Sequence, residues 1–272
     1  MAGRALSDDF VAPNFAARRR RVLLAVGAIT VTSALAPRWL AGRPEDRVLG
    51  RPSGRVTERH EAPAHRGALA HPGPSYPLDR PLYYVDGASR AIALTIDDGP
   101  DPAYTPQVLQ ILHTYQVTAT FSMIGREVTA YPQLARAVAA AGHQIANHTW
   151  THADLAGLSA RHVDSEMTRA SEAIHAATGI HPSLFRAPYG AWSAAVIRRC
   201  EHMKMVPLDW SVDPRDWAQP GTRRIIRTIM TTTRPGSIIL EHDGGGDRSE
   251  TVAALRVVVP RLLADGYHFV TP

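Results

Sequence analysis

Cysteine is nearly absent: Cys200 is the only one in 272 residues. A lone cysteine closes no internal disulfide, and nothing around Arg198-Arg199-Cys200-Glu201 supplies the histidine that a cysteine nucleophile needs. On the helix-like stretch Ala194 to Glu201 it reads as a small buried hydrophobe. No Gly-x-Gly-x-x-Gly follows the first strand-like run, which argues against a dinucleotide-binding open sheet. No His-Glu-x-x-His occurs, which excludes the usual zincin arrangement. Excess charge is missing from most of the chain. Residues 1–84 carry 13 Arg against 7 acidic residues, whereas residues 85–272 carry 17 basic against 18 acidic. A body this close to neutral offers no nucleic-acid groove.

What is present begins at the N-terminus. Arg18 to Arg21 precede the apolar run Val22 to Ala36, followed by Pro37-Arg38. This is a basic n-region with an apolar core at the upper end of signal-peptide length, too short for a comfortable membrane span. The paired arginines before Val22-Leu23 also resemble a twin-arginine export signal. Ala34-Leu35-Ala36 offers a small-x-small cleavage site that Pro37 disfavours, so a released protein and a retained anchor both stay open. The competing reading is a core helix. Residues 43–84 hold 7 Pro and 4 Gly in 42 positions with little apolar periodicity, the mark of an extended linker. The expected organisation is a basic n-region plus signal peptide or membrane anchor over 1–42, a Pro/Gly-rich linker over 43–80, and one folded domain over 81–272.

Within that domain strand-like and helix-like segments alternate. Strands are expected at Ala91–Ile96, Ala119–Met123, Gln144–Asn147, Leu184–Arg186, Val206–Ser211, Ser237–Leu240 and His268–Val270. Helices are expected from Thr105, over Pro132–Ala141, from a Ser159 cap to about Thr178, and over Ser193–Glu201, Thr222–Thr232 and Thr251–Asp265. Such alternation implies βαβ units around a mainly parallel sheet, and about seven repeats favour a barrel. Chemistry in a barrel gathers at the C-terminal ends of strands.

Five polar clusters fall at such ends. Thr95-Ile96-Asp97-Asp98-Gly99-Pro100 places two adjacent carboxylates at a strand mouth, where each needs a cation, a metal or a proton. Because neighbouring residues point to different sides, the two are expected to do different jobs, although Asp-Gly-Pro is also good turn chemistry. His148-Thr149-Trp150-Thr151-His152 spaces two histidines at i and i+4, on one face if the segment takes a helical turn. Two histidines and a carboxylate make a facial set for a catalytic metal, with Asp98 the natural third ligand. In a chain with 13 histidines such spacing also arises by chance, and His162, His175, His181 and His202 read as surface residues. Arg186-Ala187-Pro188-Tyr189-Gly190 is a pinned loop whose arginine can hold a carboxylate bidentately and whose backbone N–H can face an oxyanion; alone, it reads better as an ordinary turn with a surface arginine. Asp213-Pro214-Arg215-Asp216-Trp217 sets a tryptophan beside acids, as sugar stacking requires and as core packing also would. Finally, Leu240-Glu241-His242 ends a buried strand in a histidine that Asp216 could tune as a general acid.

With these five in order, residues 83–272 closely resemble the NodB-type polysaccharide deacetylases, carbohydrate esterase family 4. Thr95–Pro100 matches T-[FI]-D-D-G-P, His148–His152 H-[ST]-x-x-H, Arg186–Gly190 R-x-P-[YF]-[GA], Asp213–Trp217 D-x-x-D-W, and Leu240–His242 L-x-H. The resemblance implies a distorted (β/α)7 barrel, and a divalent metal, zinc or cobalt, on Asp98, His148 and His152. It implies Asp97 as general base oriented by Arg186, the Tyr189 N–H at the oxyanion, and His242 as general acid tuned by Asp216. Trp217, Leu240, Pro188 and Tyr189 would contact an acetylated polysaccharide. Ile96 stands where phenylalanine is commoner, and Trp150 is bulky enough to narrow the groove or add a stacking platform.

The leading expectation is therefore an exported, monomeric, metal-dependent N-deacetylase of an N-acetylglucosamine polymer, peptidoglycan or chitin-like. O-deacetylation of a xylan-type glycan needs the same groups. A non-catalytic glycan-binding module would predict erosion of the metal set or the acid–base pair, and neither is eroded.

Overall fold

A computed structural model describes residues 76–86 and 88–272. The expected signal or anchor segment, and nearly all of the linker, lie outside the described residues. Among the described residues no helix is long and apolar enough to cross a membrane.

Among the described residues, seven strands form one parallel sheet: β1 (Ala91–Asp97), β2 (Thr120–Met123), β3 (Gln144–Asn147), β4 (Leu184–Phe185), β5 (Val206–Pro207), β6 (Ile238–His242) and β7 (His268–Phe269). Their order is β5-β4-β3-β2-β1-β6, and β7 pairs with the first two residues of β1 before β6 takes over from Ala93. The helices are α1 (Thr105–Tyr115), α2 (Gly125–Ala130), α3 (Pro132–Ala140), α4 (Ala160–Thr178), α5 (Ala194–Met203), α6 (Thr222–Thr232) and α7 (Ser249–Ala264). The first four crossovers each return to a parallel neighbour, and all the pairings are parallel, which is why the functional loops share one end of the sheet.

The sheet curls into a distorted barrel. The expected strand over Val206–Ser211 survives only at its first two residues. Beyond them Leu82 inserts, donating to the Pro207 carbonyl at 2.8 Å and accepting from the Asp209 N–H at 2.8 Å. The chain then turns to β6, where Ser211 and Val212 donate to the Ile238 carbonyl and Leu240 donates to that of Val212 at 2.9 Å. These bonds join the two outer strands.

Alternation along each strand sorts the side chains. Ile92, Leu94, Ile96, Phe121, Ile145 and Ile239 face the helices and pack with Val108, Leu112, Val252 and Leu255. The opposite positions turn inward: Ala93, Ala146, Leu184 and Ile238 fill the lower barrel, and the next residues up are Thr95, Asp97, His148, Arg186 and His242. Small apolar side chains below and polar ones above place the chemistry at one mouth.

Local signals set the helix ends. Ser159 accepts from the His162 N–H at 3.4 Å to cap α4, and Gly179 ends it at φ 76°. Val163, Met167, Ala170 and Ile174 are its buried stripe. Cys200 is buried on α5, where burial pushes its thiol up to about 12. The reading of His162, His175, His181 and His202 as surface residues is correct; all four are exposed.

Sequence reasoning did not anticipate α2. Its first residue, Gly125, permits its close approach to α4: a Cβ there would lie 2.7 Å from the Ala170 Cα and 2.7 Å from the Trp150 ring. We predict that Gly125→Ala destabilises the fold by about 1–3 kcal/mol, the usual cost of overpacking. Urea denaturation checks this, and a wild-type midpoint contradicts it.

Candidate active site and metal centre

A cavity of about 310 Å³ opens at the C-terminal ends of the strands, lined by Asp97, Asp98, His148, His152, Ala187, Tyr189, Trp210, Asp213, Trp217, Leu240 and His242. Contributions come from β1, β6 and the loops after β3, β4 and β5. All five sequence clusters therefore converge on one space.

Asp97 and Asp98 both line it, although strict alternation would send them to opposite faces. Asp98 leaves the strand with φ 76°, which swings its carboxylate back beside Asp97. Thr149, His152 and Tyr189 also have positive φ, at 67°, 62° and 61°. Such backbone in non-glycine residues costs on the order of 1 kcal/mol or more each and concentrates at functional sites.

Arg186 lies behind Asp97 and is fully buried. Its Nη1 donates to Asp97 Oδ1 at 2.8 Å and to Thr95 Oγ1 at 2.6 Å, and its Nη2 donates to the Asp209 carbonyl at 2.9 Å. The expected bidentate grip on a carboxylate is thus replaced by one charge-assisted bond, because Thr95 and Asp209 take the remaining geometry. This leaves Asp97 Oδ2 facing the cavity, 3.8 Å from His148 Nε2.

Asp98, His148 and His152 present ligand atoms within 4.8 Å of one another. His148 Nδ1 lies 2.8 Å from the Arg186 carbonyl, which can only accept, so Nδ1 carries the proton and the Nε2 lone pair faces Asp98 at 3.5 Å. His152 Nε2 lies 3.2 Å from Asp98 Oδ1, with its Nδ1 3.2 Å from the Tyr189 hydroxyl. Burial and the neighbouring His148 pull the His152 imidazole below its ordinary value, toward the neutral form that ligates. Burial would raise the Asp98 carboxyl, but the neighbouring imidazoles of His148, His242 and His152 outweigh it and hold it well below the usual range. Asp98 Oδ1 is buried with no hydrogen-bond donor. An orphaned anionic oxygen facing two oriented imidazole nitrogens fits a divalent cation.

The histidine segment is not the helical turn that i, i+4 spacing suggested. Instead, a pinned loop brings the rings to 4.9 Å. Buried Asn147 donates to the Met167 carbonyl and Ser171 on α4, and accepts from the Thr149 N–H at 2.8 Å. The Glu166 carboxylate accepts the N–H groups of Trp150 and Thr151. Trp150 turns away from the cavity, packing on Gly125 and under Arg169 at 4.2 Å, so it neither narrows the groove nor offers a platform.

On β6, in register with Asp97, His242 donates from Nδ1 to Asp216 Oδ1 at 2.7 Å. Asp216 Oδ2 accepts from the His242 N–H at 2.9 Å and from Thr251 Oγ1 at 2.7 Å. Burial alone would lower the His242 imidazole, yet the hydrogen bond and charge of Asp216, with Asp98 and Asp97, raise it to about 9. Two groups reach the cavity only through others, Arg186 through Asp97 and Asp216 through His242. Pro188 is buried in its turn and is absent from the lining. Tyr189 and Trp217 are exposed at the mouth, and Leu240 is buried in the wall.

Sequence reasoning missed Trp210, Asp213 and Ala187 in the lining, and Thr95, Asp209, Asn147 and Glu166 as supports. Trp210 could have been found by counting two residues on from inward-facing Leu208. Thr95 sits in the first cluster without signalling its partner 91 residues on, and Asp209 and Glu166 carry no local signal, since their partners lie 15 to 23 residues away.

Comparison with known proteins gives a consistent family. The polysaccharide deacetylase family profile matches residues 85–207. A chitooligosaccharide deacetylase of Bradyrhizobium sp. (strain ANU 289) is 42% identical over 191 residues, covering 66% of this chain and 87% of the relative. A peptidoglycan-N-acetylglucosamine deacetylase of Bacillus cereus is 41% identical over 189 residues, covering 69% of this chain and 88% of the relative. The crystal structure of the Bc1960 peptidoglycan N-acetylglucosamine deacetylase superposes with TM-score 0.68 at 30% identity, covering 70% of this chain and 89% of that one.

The Asp216–His242 pair makes a prediction that needs no substrate. A raised imidazole means that the folded state holds its proton more tightly than the unfolded chain does. The pair's stabilisation is thus complete below about 6.5 and is lost as pH rises through about 9. In an NMR titration, Asp216→Asn should move the His242 midpoint to lower pH, and an unmoved midpoint would contradict the coupling.

Proposed function

This chain belongs to the polysaccharide deacetylase family, the NodB-type enzymes of carbohydrate esterase family 4, and from that membership we propose a specific substrate and a role for each site residue. The protein is a metal-dependent hydrolase of N-acetyl groups on an N-acetylglucosamine-type polysaccharide. Our reading makes that polymer peptidoglycan and the ion zinc, which suits two imidazoles and a carboxylate. A sequence that matches both a chitooligosaccharide and a peptidoglycan deacetylase leaves the N-acetylglucosamine unit as the common element; the export-like N-terminus favours the cell wall.

The observation that carries the reading is the convergence of two polarised pairs and a ligand set on one cavity. Asp97 with Arg186, His242 with Asp216 and the Asp98–His148–His152 set all meet there, Asp97 and His242 in register on neighbouring strands. When bound there, a divalent ion supplies Lewis acidity toward the attacking water and the acetamide carbonyl. Asp97 Oδ2 takes the water proton while Arg186 holds Oδ1. The water oxygen forms a bond to the acetyl carbon, and the Tyr189 backbone N–H faces the developing oxyanion. An amine leaves poorly unless protonated, so His242 Nε2 delivers a proton to nitrogen as the carbon–nitrogen bond breaks, with its Nδ1–H held by Asp216. Acetate and a free amino sugar result. The exposed rings of Trp217 and Tyr189 stack on sugar, Leu240 packs against the acetyl methyl, and Pro188 shapes the turn that carries Tyr189.

The same proposal covers the rest of the chain. Residues 1–42 direct export and either leave or anchor the protein, residues 43–80 span outward, and a single catalytic domain works as a monomer outside the cytoplasm. The arginine run, the apolar stretch and the Pro/Gly-rich spacer support this.

Acetate release by the full chain on peptidoglycan, chitooligosaccharides and acetylxylan, with and without chelator, tests the reading. Chelation should abolish release and zinc restore it, and Asp97→Asn should lose about 10²–10⁴-fold in rate, the range for a general base. Release from acetylxylan alone would make the protein an esterase. No release from any substrate by folded, zinc-loaded protein would leave a glycan-binding module.

A further inference from the structure

Leu240 and His242 face the cavity, so Glu241 between them points the other way. It enters the apolar layer between sheet and helices, in register with Ile96 and near Ile239. Glu241 is fully buried, and neither carboxyl oxygen has a hydrogen-bond donor from the protein. The carboxyl beside it is that of Asp216, which accepts at 2.9 Å from the backbone N–H of the next residue on the strand, His242, and which adds to burial in raising Glu241, by charge and hydrogen bond. Asp216 already accepts from His242 Nδ1, the His242 N–H and Thr251 Oγ1.

Two carboxyl groups in contact inside a dry layer cannot both be ionised; one must hold a proton. Burial would raise the Asp216 carboxyl, but its bond to His242 outweighs this and keeps it low, ionised. Burial and the neighbouring charges of Asp216 and Asp213 push Glu241 well up. The proton therefore rests on Glu241, and a protonated carboxyl beside a carboxylate is a hydrogen-bond donor.

We propose that Glu241 is a positioning residue of the acid–base apparatus: as a neutral acid it donates to Asp216 and thereby sets the acid strength of His242. The inference rests on the reading of His242 as the general acid. A donor on Asp216 draws its negative charge away from the imidazole, so His242 yields its proton more readily than an Asp216–His242 pair alone would allow. The other charges facing His242 are Asp97 at the end of β1, Asp98 just beyond it and His152 from the loop after β3, and the other one facing Glu241 is Asp213. These are common to all variants below.

The test compares Glu241→Leu and Glu241→Gln in the full, zinc-loaded chain by His242 NMR titration and by the pH dependence of kcat/KM. In Glu241→Leu the His242 midpoint and the alkaline limb should both rise by about one pH unit, the scale of one hydrogen bond to a charged group. Its kcat near neutrality should fall several-fold with KM unchanged, while thermal stability holds, because leucine suits an apolar layer. Glu241→Gln, whose amide can donate, should keep the wild-type limb. An unmoved midpoint in Glu241→Leu, equal shifts in both variants, or a leucine variant that fails to fold would each overturn the proposal. A shifted midpoint with an unshifted rate limb would uphold the coupling and remove His242 as the acid.

Discussion

Two carboxylates buried side by side at the end of an interior strand need positive charge brought to them, and most of the upper barrel is arranged to bring it. Asp97 and Asp98 are 2% and 9% exposed, so water does little of this work. Arg186 reaches Asp97 from the end of β4, and two imidazoles reach Asp98 from the loop after β3. Each support is itself fixed at a distance: Arg186 by Thr95 and the Asp209 carbonyl, and the histidine loop by Asn147 and Glu166. The same need that makes the Asp pair costly gives each carboxylate a distinct partner, and hence a distinct role.

The proposed acid answers a different requirement. A group that gives a proton to a leaving amine has to hold it at working pH, and on the proposed mechanism Asp216 would secure this for His242. Asp216 in turn sits where β6 meets the first turn of α7, reached by Thr251 from the helix and by Glu241 from the strand. His242 and Asp97 thus face the same cavity from neighbouring strands, with Glu241 on the helical side of β6. A single strand position, Glu241, links the helical layer to the cavity.

Much of this was legible in the sequence because its signals are local. Alternation located the seven strands, Ser159 and Gly179 marked both ends of α4, and five polar clusters fell at strand ends. What escaped depends on contacts between distant segments. Helix α2 has six residues and is held by the small Gly125 against α4, not by periodicity. The second half of the fifth strand was lost to Leu82, which competes for its backbone. The histidine pair reads as a helical turn by spacing, yet Asn147 and Glu166 stabilise a loop with two left-handed residues instead. Arg186 touches Asp97 through one N–H, not two, because the same Nη1 is shared with Thr95, Nη2 goes to the Asp209 carbonyl, which no motif names, and Nε has no partner. Gly244 shows the same limit: a Cβ there would lie 2.3 Å from the Asp98 carbonyl, a constraint visible only once β6 and β1 are side by side.

The central claim is a division of labour in which His242 serves only the leaving group. Its most direct measurement is single-turnover hydrolysis by zinc-loaded His242→Asn of two substrates, an N-acetylglucosamine oligomer and an activated aryl acetate. The oligomer's amine needs protonation; the phenolate leaves without it. The account predicts a loss of at least about 10²-fold on the amide, the scale of general acid catalysis, with ester hydrolysis nearly unchanged. Equal losses on both would contradict it.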